Sequence, residues 1–300
     1  ESDAHGQMDI ALSAGVNFWD TAEMYPSPPD KDKQGDTERF MGTWFNKTKQ
    51  RDKVILASKI SPMDFLRDGQ TRFNAAQISS AIDGNLERLQ TDYIDIYQLH
   101  WPERQANFFS QRGYSEEMAA QSLDDLTPFL ETIQALNDEI KKGRIRAYGL
   151  SNDTAWGLMR YLWEADKNGL IAPITVQNPY SLLNRLYEVG MAEIAHRENV
   201  GLLAYSPLGF GVLSGKYLDG KRPAGARLTM YDRFARYTND EAKAASAQYA
   251  KIAAEAPLDM AQMALAFVNS PSFVPSNIIG ATTTQQLQSN IDSINVTLSA

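Results

Sequence analysis

Short apolar runs alternate with longer segments of helical periodicity along the whole chain. In ISSAIDGNLERL (78–89), Ile78, Ile82, Leu86 and Leu89 recur at the spacing of one helix face, and FLETIQALNDEI (129–140) repeats the pattern. Between such segments lie VNFWDTA, VILASK, YIDIYQLH, IRAYGLSN, ITVQNPY, GLLAYSPL and NIIGAT. These runs are apolar without strict alternation, as parallel strands covered on both faces are. A helix over AHGQMDIALSAG precedes the first of them. Strict alternation of strand and helix leaves a doubly wound sheet or a closed (β/α)8 barrel. No linker divides the chain, so a single domain over residues 1–300 is expected. Seven strands are counted where a barrel needs eight. The simplest account is an α/β TIM barrel whose first strand lies upstream of Glu1.

Polar groups collect where these runs end. The first ends at Asp20, with Tyr25 just beyond; VILASK ends at Lys59 and YIDIYQLH at His100. Ser151–Asn152, Gln177–Asn178 and Tyr205–Ser206 close three further runs. Singly, each has an ordinary explanation: a turn-capping aspartate, a solvated lysine, a hydrogen-bonded histidine, an amphipathic tyrosine. A barrel would gather them around one mouth, and together they suit general-acid chemistry. A phenol with a pKa near 10 holds its proton too tightly at neutral pH, and a nearby ammonium makes it more acidic. Lys59 would supply that charge, Asp20 would keep the ammonium charged and fixed, and His100 would orient a carbonyl. Two connections exceed what chain reversal needs, PSPPDKDKQG after Tyr25 and the stretch from Gly209 to Thr238. Long connections of this kind usually carry function.

Composition narrows the classes. The chain is 43% hydrophobic and 22% charged, with a formal net charge of -8, an ordinary balance for a soluble globular protein. No basic block suggests a nucleic-acid partner, and no apolar stretch is long enough to span a bilayer. The absence of cysteine excludes disulfides and thiol chemistry, and fits a cytoplasmic setting. Asn-X-Thr triplets at Asn46, Asn152 and Asn295 are read as accidental. Of the three histidines, His5 is read as lying before the first helix and His196 on an outer helix. No metal-ligand cluster is expected, which disfavours a metal-dependent barrel hydrolase.

The ordered phrases DTAEMY, ASK, QLHWP, GLSN, VQNPYS and LLAYSPLGFGVLSGKY resemble the aldo-keto reductase superfamily over essentially the whole chain. AEMYPSPP, NPYSLLNR and GATTTQQLQSNI are most similar to its Tas-like branch, near the potassium-channel β-subunit group. The resemblance implies a (β/α)8 barrel that binds NADP(H) without a Rossmann motif and reduces an aldehyde or ketone by hydride transfer. Its catalytic tetrad falls on Asp20, Tyr25, Lys59 and His100, with Tyr25 as proton donor. It implies that Ser151, Asn152 and Gln177 bond the nicotinamide carboxamide and that Tyr205 stacks on the ring. Ser206, Leu208, Gly211 and Lys216 fall in the stretch that wraps the pyrophosphate. Gly280, Thr282, Gln286 and Asn290 fall in the segment that grips the adenosine 2′-phosphate. Gly280 and Gln286 stand where better-known members carry Lys and Arg, and Arg227 on the long loop would supply the missing charge.

Relative to that family, the opening hairpin, the first strand and a closing helix after VTLSA are absent from these 300 residues. A barrel made of them alone would be open at two strand edges. The substrate pocket is expected to be apolar, built from Trp19, Trp101, Phe108 and Phe109, and residues 101–115 either shape it or form a surface flap. A second reading is a regulatory subunit that holds NADP(H) with little turnover. A small carbonyl substrate is the expected partner, with no nucleic acid and no membrane, and oligomeric state is not legible.

Overall fold

A computed structural model describes residues 1–299 apart from Gln70, Ser110 and Arg112. Its strands are β1 (Phe18–Asp20), β2 (Ile55–Ile60), β3 (Ile94–Leu99), β4 (Ile145–Ser151), β5 (Thr175–Pro179), β6 (Gly201–Tyr205) and β7 (Ser276–Asn277). The helices are α1 (Ser2–Ser13), α2 (Asp36–Thr48), α3 (Ala75–Leu89), α4 (Glu116–Ala120), α5 (Phe129–Lys141), α6 (Ala155–Lys167), α7 (Met191–Arg197), α8 (Arg227–Met230), α9 (Asp240–Glu255), α10 (Met260–Asn269) and α11 (Thr284–Asp292). The elements follow the predicted order, and strand–helix alternation with parallel pairing is the pattern of the (β/α)8 barrel class.

The chain folds into two compact units, Glu1–Gln177 and Asn178–Ala300. In the first, β1 to β4 pair in chain order, and β4 pairs onward with Thr175–Gln177. The register sets Asp20 beside Ala57, Lys59 beside Gln98, and Ser151 beside Gln177. Successive residues of a strand face opposite ways. Ser58 therefore turns from Lys59 toward α2 and α3, where a polar cluster sits in the core. Glu38, fully buried, accepts hydrogen bonds from Ser58 Oγ at 2.5 Å, Asn85 Nδ2 at 2.6 Å and Arg88 Nε at 2.7 Å. Tyr97 OH donates to Asn85 Oδ1 at 3.0 Å. This cluster explains a departure from the predicted α3 stripe: Asn85 is buried and Leu86 only half-buried. The amide is kept inside because it links Glu38 to Tyr97.

In the second unit, β6 and β7 are parallel, with Leu203 opposite Ser276 and Ala204 opposite Asn277. The strand predicted over NIIGAT is confined to its start, prolonged by one bond from Ile278 N to Ala204 O at 2.8 Å. The stretch from Gly209 to Thr238 is compact. It carries short 3-10 turns, α8, and a backbone in the left-handed region at Gly209, Phe210 and Gly211. Leu213, Ala253, Met260, Met263 and Ala264 form the core beneath it.

Two sequence readings need correction. His5 lies inside α1, and its Nε2 meets Phe40 O and Thr43 Oγ1 at 3.0 Å each, so it ties α1 to α2. Trp19 does not belong to a substrate pocket. It stacks on Phe45 with centroids 5.8 Å apart and meets Trp44 edge-on at 4.9 Å. Being adjacent to Asp20 in a strand, it must face the other way, toward α2. Among the described residues, no helix is long and apolar enough to cross a membrane.

Candidate active site

Five of the sequence-predicted residues, together with Gln98, converge in the first unit around one buried cation. Lys59 is fully buried at the end of β2, and its Nζ donates to Asp20 Oδ2 at 2.5 Å and to Thr21 O at 2.7 Å. The other oxygen of Asp20 accepts from Gln98 Nε2 at 3.0 Å and Gln177 Nε2 at 2.8 Å. All the carboxylate's bonds come from side chains of β2, β3 and β5, so Asp20 is an anchor and not a turn cap. Burial pulls the pKa of Lys59 down from the ordinary lysine value, and the Asp20 carboxylate opposes that shift.

Tyr25 stands over this pair, with Lys59 Nζ 5.2 Å from its ring centroid. Its ring meets that of His100 edge-on at 5.7 Å. The loop after β1 fixes the tyrosine at both ends. Tyr25 N donates to Ala22 O at 3.0 Å, and Gly35 N, on a residue with φ +81°, donates to Tyr25 O at 2.9 Å. The long connection over 26–35 therefore folds back onto the residue it follows.

His100 lies just past β3, its Nδ1 2.7 Å from Ser61 Oγ. Burial, with the Lys59 ammonium acting the same way, holds its pKa well below 6.5, so the ring is neutral at physiological pH. Asn152, with φ +53°, donates from Nδ2 to His100 O at 2.9 Å and to Ser151 Oγ at 3.1 Å. Ser151 Oγ donates to Gln177 O at 3.0 Å. Ser151, Asn152 and Gln177 thus form one connected set with His100, Asp20 and Lys59, and the amide nitrogen of Gln177 is engaged by Asp20. Thr154, two residues on, caps α6.

An apolar wall borders Tyr25: Ala22, Met24 and Leu66 are buried, with Met63, Phe65 and Trp101 packed against them. Trp101 lies 4.9 Å from the His100 ring and 5.7 Å from Phe109, which meets Phe108 at 5.0 Å. Three of the four predicted aromatics therefore form a chain of ring contacts that starts at His100. A cavity of about 310 Å³ opens under Trp101, lined also by Pro62, Arg72, Glu103, Gln121 and Leu126. Two residues of the predicted pocket loop 101–115, Ser110 and Arg112, lie outside the described residues.

The second unit holds the remaining predicted residues. Lys216 lies along the backbone of Gly211. A Cβ on that glycine, whose φ is +93°, would sit 3.0 Å from Lys216 Cε and 3.3 Å from Nζ. An ammonium beside bare, left-handed backbone is a cradle suited to a phosphate. Ser206 also adopts a positive φ, +55°, and Leu208 packs toward the core beneath the loop. The exposed Arg227 lies over Phe210 and Phe234, at 5.8 and 5.3 Å from their centroids. At the start of α11, Gln286 Oε1 accepts from Thr282 N at 3.0 Å and Thr282 Oγ1 at 2.9 Å, while Asn290 Nδ2 reaches Gly280 O at 3.4 Å. These contacts order the segment at a helix N-terminus, where an anion is favoured. Tyr205 ends β6 and hydrogen-bonds Arg236, whose guanidinium also lies 5.5 Å from the Phe210 centroid. Among the described residues no group of His, Cys, Asp or Glu is arranged to hold a metal.

Four residues that build these arrangements escape a reading of strand ends. Gln98 stands two before His100, and Ser61 two after Lys59, each on its partner's side of the strand; that period of two was the available signal. Glu23 and Arg236 carried none, because a buried carboxylate inside DTAEMY and an arginine in a long loop look like solvated charges.

The aldo/keto reductase family model matches residues 1–300. Protein tas of Escherichia coli (strain K12) is 49% identical over 303 residues, covering all of this chain and 86% of that protein. An uncharacterized oxidoreductase, YrpG, of Bacillus subtilis (strain 168) is 30% identical, covering 99% of this chain and 84% of that protein. A probable voltage-gated potassium channel subunit beta of Arabidopsis thaliana is also 30% identical, over 94% of this chain and 79% of that protein.

Proposed function

This chain belongs to the aldo/keto reductase family, an oxidoreductase family of (β/α)8 fold, and on that premise we propose that it reduces an aldehyde or ketone with NADPH, Tyr25 giving the proton. The observation that carries the reading is the buried Asp20–Lys59 pair set beneath the Tyr25 ring. NADPH, when bound, would supply the hydride. The residues do the rest. As the carbonyl oxygen gains negative charge, Tyr25 transfers its phenolic proton to it, and the product is an alcohol. The Lys59 ammonium stabilises the tyrosinate left behind, which regains its proton from solvent. Asp20 keeps Lys59 charged in a fully buried position, where the ammonium alone would shed its proton. Neutral His100 donates a hydrogen bond to the carbonyl oxygen and orients it. The wall formed by Met24, Met63, Phe65 and Trp101 favours an apolar group on the substrate.

Ser151, Asn152 and Gln177 would bond the carboxamide of the cofactor, and Tyr205 would stack on its ring. Ser206, Leu208, Gly211 and Lys216 would hold its pyrophosphate. Arg227, with Gly280, Thr282, Gln286 and Asn290, would receive the adenosine phosphate, which is the basis for preferring NADPH over NADH. The cradle at Gly211 and Lys216 is the feature that fits this group. The cysteine-free chain suits a reducing compartment, and the cytoplasm is the setting proposed.

Tyr25→Phe tests the reading. It is expected to lower turnover of an aldehyde panel by at least about 100-fold, in the range of a lost general acid. NADPH affinity, read by fluorescence titration, is expected to stay within about twofold. Full activity in that variant would remove Tyr25 as the acid. Tight NADPH binding with negligible wild-type turnover would assign the chain instead to a regulatory role, as the name of the channel-subunit relative suggests for that protein.

A further inference from the structure

We infer that Ser61 is a positioning residue, which fixes His100 as the Nε2–H form, and that the Glu23–Arg67 pair holds Ser61 in place. The inference rests on the proposed reading that His100 orients a carbonyl, and it adds how the ring is made to do so. A neutral imidazole carries its hydrogen on one nitrogen only, and the bond made by the other decides which. Only a hydrogen on the nitrogen facing the substrate lets the ring donate to a carbonyl.

Three observations converge on Ser61. First, it is fully buried directly beyond β2, as His100 is directly beyond β3, and Ile60 pairs with Leu99, so the two residues are neighbours. Its Oγ lies 2.7 Å from His100 Nδ1. Second, the hydrogen count sets the direction of that bond. Among the described residues Oγ has no other hydrogen-bond partner. Were Nδ1 the donor, the hydroxyl hydrogen would be left buried without an acceptor. With the hydroxyl donating, only an oxygen lone pair goes unused, which is the cheaper arrangement. Nδ1 is then the acceptor and the hydrogen sits on Nε2.

Third, the serine is held from both sides of its own backbone. Ser61 N donates to Glu23 Oε1 at 2.6 Å, and Arg67 donates from NH2 to Ser61 O at 2.9 Å. Arg67 NH1 closes the triangle on the same Glu23 oxygen, and its Nε donates to Gln77 Oε1 at 3.1 Å. A buried carboxylate and a half-buried guanidinium that both bond the backbone of one serine are a costly arrangement for a residue with no task. Glu23 sits between Asp20 and Tyr25 in the same loop, so the acid and the orienting group share one support.

The test reads the tautomer directly. The chain has three histidines, and ¹⁵N-histidine labelling gives three ring systems, with His100 assigned by its loss in His100→Gln. Two-bond ¹H–¹⁵N correlation at pH 7 is expected to show His100 of the wild type with hydrogen on Nε2 and an acceptor Nδ1. Ser61→Ala is expected to replace this single form by a mixture and to lower kcat for an aldehyde about tenfold, the size of one lost hydrogen bond, with NADPH affinity unchanged. Ser61→Thr, which keeps the hydroxyl, is expected to restore both readouts. Hydrogen on Nδ1 in the wild type overturns the inference. So does an unchanged His100 spectrum in Ser61→Ala, or unchanged kcat in that variant. The spectrum does not depend on turnover, so a chain that reduces no carbonyl but holds His100 as Nε2–H would sink the proposed function and leave the Ser61 assignment standing.

Discussion

Lys59 and Asp20 show how a charge becomes affordable in an interior: the ammonium has two acceptors and the carboxylate three donors. Breaking such a pair strands the other member. Asp20→Asn is expected to lower stability at pH 7 by about 3 kcal/mol, measured by urea unfolding, and to reduce aldehyde turnover by about 100-fold or more. His100 gives a pH-dependent signature. The folded chain resists protonating this ring, while the unfolded chain takes up a proton near pH 6.5. Below that pH the unfolded state binds more protons, so this group's contribution makes stability fall as pH drops. Glu23, whose pKa burial raises above 4.5, acts with the opposite sign. The difference between wild type and His100→Gln isolates the imidazole. The variant's unfolding free energy is expected to lose less between pH 7 and pH 5.5 than the wild type's. Asp20, Tyr25, Lys59 and His100 were legible as residues because polar groups ending apolar runs stand out. Their supports, Gln98, Ser61 and Glu23, were not, because polar residues inside a strand or motif carry no mark of what they hold.

At the scale of elements, close approach explains two glycines. Gly42 on α2 faces the end of α3, where an added Cβ would lie 2.2 Å from Arg88 O. Backbone cannot yield there, so Gly42→Ala is expected to cost about 2 kcal/mol in a thermal or urea melt, within the range for overpacked sites. Gly211 is a contrasting case: its φ of +93° strains any L side chain, and a methyl there would press on the end of Lys216, 3.0 Å from Cε. Gly211→Ala is expected to weaken NADPH binding about tenfold or more, read by titration, while the Tyr25–Lys59 geometry of the other unit stays intact. The elements themselves were well predicted, since helical periodicity and apolar runs are local properties of sequence. The weakest strand was over-extended. β7 pairs only at Ser276 and Asn277, because an apolar run states that a segment is buried and not how many of its residues find partners.

At the scale of the whole molecule, cofactor choice is the property most open to measurement. A ligand that binds only the folded chain stabilises it by mass action, about 2.7 kcal/mol at 100 times its Kd. NADPH is therefore expected to raise the melting temperature more than equimolar NADH, and Arg227→Ala to narrow the gap between them. Equal shifts would remove the phosphate role assigned to Arg227 and the start of α11. The sequence by itself determined the α/β class, the order of strands and helices and the family, and it singled out Asp20, Tyr25, Lys59 and His100 as the residues proposed for the site. These follow from periodicity and from ordered motifs, both of which are written along the chain. Tertiary structure alone decided which way each polar group faces. It turned Trp19 to α2 and Asp20 to Lys59, put Asn85 in the core, and brought Ser61 to His100 across 39 residues of chain. The physical reason is that a hydrogen bond depends on distance and direction in space. Residues far apart in sequence acquire both only when strand register is set.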